Sequence, residues 1–284
     1  HLINKAKDFW SHEILIMGNN LELEKIELPH DADFQGIWKD QAFALLRSDW
    51  KGSPKGALIA IDLKMDVKSD VFIPDNKSSL SQVGFTSDFL LLTIQEDVID
   101  KTYRTSLREG SWVLEDLSLP YGGTISISSA HVSHADFFYT YNDLITPVTL
   151  GYFADAVSKP RVIRQSPARF NSDGLVVSQK FATSADGTMV PYFLVMNPDV
   201  PMDGSNPTLL YGYGGFEVSE KSQYWSKTGK LWLEKGGVFA LANIRGGGEY
   251  GPAWHQAALK MNRHKSYEDF IAIAEQLIDD GITS

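Results

Sequence analysis

Two short apolar runs in this chain end in glycines, and the residues among those glycines are the ones whose types could do chemistry. The first is Leu209-Leu210-Tyr211-Gly212-Tyr213-Gly214-Gly215-Phe216. The second is Val238-Phe239-Ala240-Leu241-Ala242-Asn243-Ile244-Arg245-Gly246-Gly247-Gly248-Glu249-Tyr250-Gly251. Glycine lets a backbone turn sharply and approach a bound molecule closely. Tyr213, a phenol flanked by glycines, is a hydrogen-bond donor that can reach into a cleft, and Phe216 supplies an apolar wall. The same spacing also suits a packed turn with an aromatic plug. Both runs have the form of a buried parallel strand that opens into a loop at its carboxyl end. Open α/β sheets place their chemistry at such ends. Neither run supplies a nucleophile.

Other constellations carry less. Gly246-x-Gly248-x-x-Gly251, with Asp269 further on, has the spacing of a dinucleotide fingerprint. The mechanism fits poorly, because Glu249 would bring negative charge toward phosphate and Pro252 would start a helix only after the whole cluster. A structural loop at the rim of a site is expected instead, and no cofactor. A nucleophile elbow needs Gly-x-Ser-x-Gly on a strand-turn-helix. No such string occurs, and Asp203-Gly204-Ser205-Asn206-Pro207 reads as a loop. His255 and His264 read as structural. His131-x-x-His134 and His30-Asp31-x-Asp33 lack a third ligand at recognisable spacing, so no metal is expected.

Composition narrows the class. The 284 residues carry 26 Lys and Arg against 36 Asp and Glu, a net charge of −10, which argues against nucleic acid as the partner. No apolar run reaches the roughly eighteen residues of a membrane span. With no cysteine, disulfides, zinc-thiolate sites and thiol nucleophiles are excluded, while the compartment stays open: soluble, cytoplasmic or periplasmic. The chain opens His1-Leu2-Ile3 with neither an initiator Met nor a signal-peptide pattern, and we expect it to be cut from something longer.

The elements that must position these loops fall into two grammars. Residues 1–168 read as all-β, with short apolar runs punctuated by turn signals such as Gly18-Asn19-Asn20, Glu109-Gly110-Ser111 and Tyr121-Gly122-Gly123. A weak repeat places Ala42-Phe43, Phe89-Leu90 and Phe137-Phe138 about 48 residues apart, the period of propeller blades, and these would be inner strands. A β-sandwich has similar strand spacing. Residues 169–284 read as a hairpin about Ala185-Asp186-Gly187-Thr188, then strand, helix, strand, helix, the pattern of a parallel α/β sheet. One helix is expected over Ser222 to Lys235, stopped by Gly236-Gly237. The last is expected to be capped by Ser266 with Asp269 as the capping-box acid. It would present Phe270, Ile273, Ala274, Leu277 and Ile278 on one face and close at Gly281.

Four strings then align with a known family. Asp186-Gly187-Thr188-x-Val190-Pro191-x-Phe193, Tyr211 to Phe216, Asn243 to Gly251 with Trp254-His255, and Tyr267-x-Asp269-Phe270 resemble, in order and spacing, the prolyl oligopeptidase family of serine peptidases. Asp136-Phe137-Phe138-Tyr139 with Leu144-Ile145-Thr146-Pro147 and Pro160-Arg161-Val162 resembles that family's last propeller blade. The resemblance implies a partial β-propeller of about three to four blades over 1–168, followed by the first part of an α/β-hydrolase domain over 169–284. It implies that Tyr213 is the oxyanion-hole tyrosine, acting with a backbone N–H, and that Phe216 lines the pocket for proline. The Gly-Gly-Phe ending favours the proline-specific branch over the one that cuts after basic residues. The implied substrates are short proline-containing peptides. The family's Gly-Gly-Ser-Asn-Gly-Gly elbow, Asp and His are not in the chain, so the implied partner is the remainder of its own catalytic domain, and the chain alone is expected to be inactive. The alternative is a catalytically dead propeller/hydrolase interaction module.

Overall fold

The computed structural model describes residues 2–8, 11–18, 21–154 and 159–284. It opens with a three-stranded antiparallel sheet of β1 (Leu2–Ala6), β2 (His12–Met17) and β3 (Leu23–Lys25). Asn19 and Asn20 of the first expected turn signal lie outside the described residues. Three four-stranded sheets follow, each in simple sequence order. They are β4 (Asp33–Trp38), β5 (Gln41–Leu45), β6 (Leu58–Asp62), β7 (Val67–Phe72); β8 (Ser78–Phe85), β9 (Leu90–Glu96), β10 (Ile99–Arg108), β11 (Ser111–Asp116); and β12 (Thr124–Ala130), β13 (Phe137–Asn142), β14 (Thr149–Phe153), β15 (Arg161–Gln165).

The sequence repeat maps onto these sheets: β5, β9 and β13 are each the second strand of their own sheet, and Phe43, Leu91 and Phe137 are buried there. Each is an inner strand because it carries apolar residues that pack on its neighbours' faces. Local turn chemistry sets the registers. In the β9–β10 hairpin Glu96 faces Ile99, and Asp97 and Val98 between them both have positive φ (46° and 67°), the form that matches strand twist. Val98 is β-branched and strained in that region, and it is held there by burial in the core beside Phe193 and Phe239.

By internal contacts the chain forms two compact units. One comprises residues 1–75 with the hairpin tip 107–113, and the other residues 76–106 with 114–284. Within the first, the Trp112 ring meets Phe43 edge-on at 5.7 Å and its Nε1 donates to Ser69 Oγ at 3.1 Å.

The second unit holds a mixed sheet of β16 (Val176–Thr183), β17 (Met189–Met196), β18 (Thr208–Gly212) and β19 (Val238–Ala242), in the order β16-β17-β19-β18. β16–β17 and β17–β19 are antiparallel, whereas β18 and β19 run parallel with Leu210 beside Ala240. Apolar residues cover both faces, as a buried sheet requires. Tyr192, Leu194, Ala240 and Ala242 pack with Ile273 and Leu277 on one side. Phe193, Val195, Phe239 and Leu241 pack with Phe170, Leu144 and Leu233 on the other.

The helices α1 (Ser226–Leu231), α2 (Gly251–Gln256) and α3 (His264–Asp279) accompany the sheet. α1 and the 3-10 turn Leu233–Lys235 end at Gly236, whose φ of 85° makes the expected stop. α1 starts four residues later than expected. The Ser222 carbonyl accepts from Thr124 Oγ1 at 2.8 Å and the Tyr224 N–H donates to Asn142 Oδ1 at 2.8 Å, so this backbone is committed to side chains of β12 and β13 before it can coil. α3 departs from the capping-box expectation. It begins at His264, so Ser266 is not its cap; Ser266 lies buried inside the helix and donates to the Arg245 carbonyl. Tertiary demand for that hydroxyl outweighs its capping preference. Ile278, expected on the apolar face, is 49% exposed, because the buried stripe runs through Ser266, Asp269, Ile273 and Leu277.

Candidate active site

The parallel pair β18–β19 brings both glycine-rich loops to one sheet edge. β18 ends at Gly212, and Tyr213 immediately beyond it is 45% exposed. Its hydroxyl has no hydrogen-bond partner among the described residues. Phe216 is 67% exposed and, with Glu217, has positive φ (52° and 58°). Two consecutive non-glycine residues in that region make a tight reversal that turns the ring outward. Tyr211, two residues before Tyr213 on β18, sets its ring edge-on to Trp225 at 5.0 Å, and Trp225 leans on Phe239 at 5.3 Å. The Glu220 carboxylate, followed by partial burial and Tyr213, pushes the Tyr211 phenol above its ordinary range.

The loop after β19 fits beneath this one, backbone against backbone. A side chain at Gly248 would collide with the Glu217 carbonyl, and one at Gly246 with the Gly214 carbonyl. The glycine cluster therefore serves close packing of two loops, the structural role expected of it. The Glu217 N–H donates to the Gly246 carbonyl at 3.2 Å, and His255 Nδ1 lies 2.7 Å from that oxygen, with Nδ1–H as donor in the matching tautomer. Arg263 Nη1 donates to the Gly214 carbonyl.

Below the loops sits a buried ion cluster that sequence reasoning missed. Arg245 is 3% exposed and Asp269 fully buried. Asp269 Oδ2 accepts from the Arg245 backbone N–H and Nε, each at 2.9 Å, and Oδ1 accepts from Nη2 at 2.6 Å. Arg245 Nη1 reaches Asp186 Oδ2 at 2.6 Å and Thr188 Oγ1 at 3.2 Å, and Nη2 reaches Ser184 Oγ at 3.1 Å. The hydrogen bond from Arg245, backed by Thr188, holds the Asp186 carboxyl well below the usual carboxylate range. The guanidinium fork thus staples the β16–β17 hairpin and α3 to the exit of β19. A planar, always-charged donor suits that task, because burying it requires nearly every N–H to find an acceptor. The available signal was the pair Asp186-Gly187-Thr188 and Asn243-Ile244-Arg245, in which charged residues adjoin apolar strands.

The remaining candidates stand apart. The His131 and His134 rings are 6.1 Å between centroids, and His131 Nδ1 is 2.7 Å from Ser133 Oγ. Among the described residues no group of three His, Asp or Glu side chains is arranged to hold a metal ion. No helix among them is long and apolar enough to cross a membrane.

Comparison with known proteins meets this geometry at both ends of the chain. Residues 20–166 match the family described as prolyl oligopeptidase, N-terminal beta-propeller domain, and residues 223–284 match the prolyl oligopeptidase family. The chain is 40% identical to an uncharacterized peptidase, y4nA, of Sinorhizobium fredii, over 99% of its own length and 41% of that protein's. It is 34% identical to a prolyl endopeptidase of Elizabethkingia meningoseptica, over 72% of its own length and 28% of that protein's. Among solved structures it is similar to a post-proline cleaving enzyme from Rickettsia typhi, with a TM-score of 0.89 and 34% identity over 100% of this chain and 43% of that one. The chain thus spans less than half the length of these relatives.

Proposed function

Because this chain belongs to the prolyl oligopeptidase family, we propose that it supplies the oxyanion donor and the proline-pocket wall of a serine-type oligopeptidase cutting short peptides on the carboxyl side of proline. The observation that carries this reading is the free, exposed phenol of Tyr213 at the carboxyl end of β18. When a nucleophile adds to a peptide carbonyl, negative charge grows on the oxygen. A donor fixed where that charge develops binds the transition state more tightly than the ground state, and so raises turnover rather than affinity. Phe216 offers a flat apolar ring, which suits a pyrrolidine because that side chain asks for contact and no hydrogen bond. The loops beneath keep both groups from drifting, and preorganisation is what makes such a donor effective. In this reading the serine, its histidine and its aspartate come from the remainder of the same catalytic domain.

The test uses the full-length gene product and a chromogenic peptide with proline before the scissile bond. Tyr213→Phe is expected to lower kcat by about 10²- to 10³-fold with a much smaller change in KM, the cost of one oxyanion donor. An unchanged kcat removes Tyr213 from the chemistry. A full-length product that lacks a Gly-x-Ser-x-Gly string and turns over nothing supports the interaction module instead.

A further inference from the structure

We propose that Glu249 and Asn243 form a buried clamp that positions the Tyr213–Phe216 loop, Glu249 being a positioning residue that acts through Tyr213; the catalytic half of this statement rests on the function proposed above. The loop needs such a hold. Tyr213, Phe216 and Val218 are 45%, 67% and 47% exposed, so little apolar burial fixes its outward half. On its return to the protein, both backbone polar groups of Glu220 are taken by buried side chains of the lower loop. The Glu220 N–H donates to Glu249 Oε1 at 3.0 Å, and the Glu220 carbonyl accepts from Asn243 Nδ2 at 2.6 Å. Asn243 Nδ2 also lies 3.4 Å from Glu249 Oε1, which joins the two grips. Asn243 is fully buried and Glu249 is 1% exposed.

Two polar side chains in that position are costly if packing were their whole purpose. Each also leaves an oxygen, Glu249 Oε2 and Asn243 Oδ1, without a hydrogen-bond partner among the described residues. Glu249 Oε2 is seated against Gly247, where any side chain would collide with it. The residue's own backbone is held as well, since Ser79 Oγ of β8 donates to the Glu249 carbonyl at 3.0 Å. A fixed acceptor aimed at the returning segment of a loop whose outward half is exposed is the geometry of a clamp. Burial works against the charge on Glu249, and Glu220 and Tyr250 are the titratable groups facing it. The accepting oxygen, rather than the charge, is therefore the working part.

Amide hydrogen exchange on the 284-residue chain tests the clamp without reference to activity. Glu249→Ala is expected to speed exchange across residues 213–221 by about tenfold or more, the loss of one hydrogen bond to a buried polar group, while α3 is unaffected. Glu249→Gln, which keeps the accepting oxygen, is expected to retain the protection. Should Glu249→Ala fail to fold, Asn243→Ala removes the second grip alone and is expected to loosen the same segment. Unchanged exchange in the folded variant, or equal loosening throughout the chain, overturns the clamp. In the full-length enzyme, Glu249→Ala is expected to lower kcat by about tenfold in the wild-type background and less than about twofold when Tyr213→Phe is already present. Equal losses in both backgrounds overturn the action through Tyr213. A full-length product that cleaves no proline peptide sinks the functional reading and leaves the exchange result to decide the clamp.

Discussion

Arg245 and Glu249 are both buried behind the same loops, and the protein treats them differently. Arg245 keeps its charge because Asp269 and Asp186 neutralise it and nearly all its N–H groups are used. Among the described residues no cation pairs with Glu249, and burial pushes its carboxyl up to about 7. The consequence for stability has a definite sign. A carboxyl whose value is about 7 when folded and near 4.5 when free holds its proton more tightly in the native state. Its favourable contribution is thus complete below about pH 4.5 and is lost as pH rises through 7. At ~1.4 kcal/mol per pH unit the loss amounts to ~3 kcal/mol. Urea unfolding of wild-type chain and Glu249→Gln between pH 4.5 and 7.5 is expected to show the difference between the two change by that order, with wild type losing ground as pH rises. Parallel stability curves would mean that Glu249 stays in one protonation state across the range.

At the scale of elements, the packed loops make a sharper demand than either strand. Gly248→Ala drives a methyl group into the Glu217 carbonyl, and overpacking of this kind costs about 1–3 kcal/mol. Calorimetric melting is expected to fall accordingly, and a melting point equal to wild type would show that the loops can separate freely. Much at this scale was legible from residue order. The runs at Leu209–Tyr211 and Val238–Asn243 are the parallel strands β18 and β19, the turn at Asp186-Gly187 closes a hairpin, and the 48-residue repeat marks the second strand of three successive sheets. What stayed hidden depends on partners distant in sequence. Ser222 to Trp225 carries a helical pattern, yet Thr124 and Asn142, far earlier in the chain, take its backbone groups. Ser266 and Asp269 have the spacing of a capping box, but Arg245 claims both. Local spacing cannot reveal a competitor that arrives through the fold. The exposed position of Tyr213 and Phe216 after a strand was legible, because their glycine neighbours announce a loop there. The clamp residues were not, since Asn243 and Glu249 look like ordinary polar residues of a loop.

For the whole molecule, the sheets of the second unit and the glycine-rich loops form one connected structure. The Lys221 ammonium lies 3.2 Å from both oxygens of the buried Asp100 on β10, and Tyr250 OH donates to Asp97 Oδ1 at 3.1 Å in the β9–β10 turn. Gln179 of β16 donates to the Asp97 carbonyl in the same turn. The loop that bears Tyr213 is thus backed by both the mixed sheet and the meander sheets. These supports hold the exposed Tyr213 and Phe216 but contain no Gly-x-Ser-x-Gly. The purified 284-residue chain is expected to release no chromophore from a proline-containing peptide. Turnover that an active-serine reagent abolishes would mean a nucleophile lies within these residues.

The hairpin tip at residues 107–113, which belongs with the first compact unit while the residues on either side of it belong with the second, has a bearing on biosynthesis. As the chain leaves the ribosome amino end first, residues 1–75 emerge without the segment that carries Trp112. At ordinary elongation rates that segment follows after an interval on the order of seconds. Until then the Phe43 ring lacks its edge-on neighbour, and the nascent unit waits, incomplete and with apolar surface uncovered, in the form that chaperones bind.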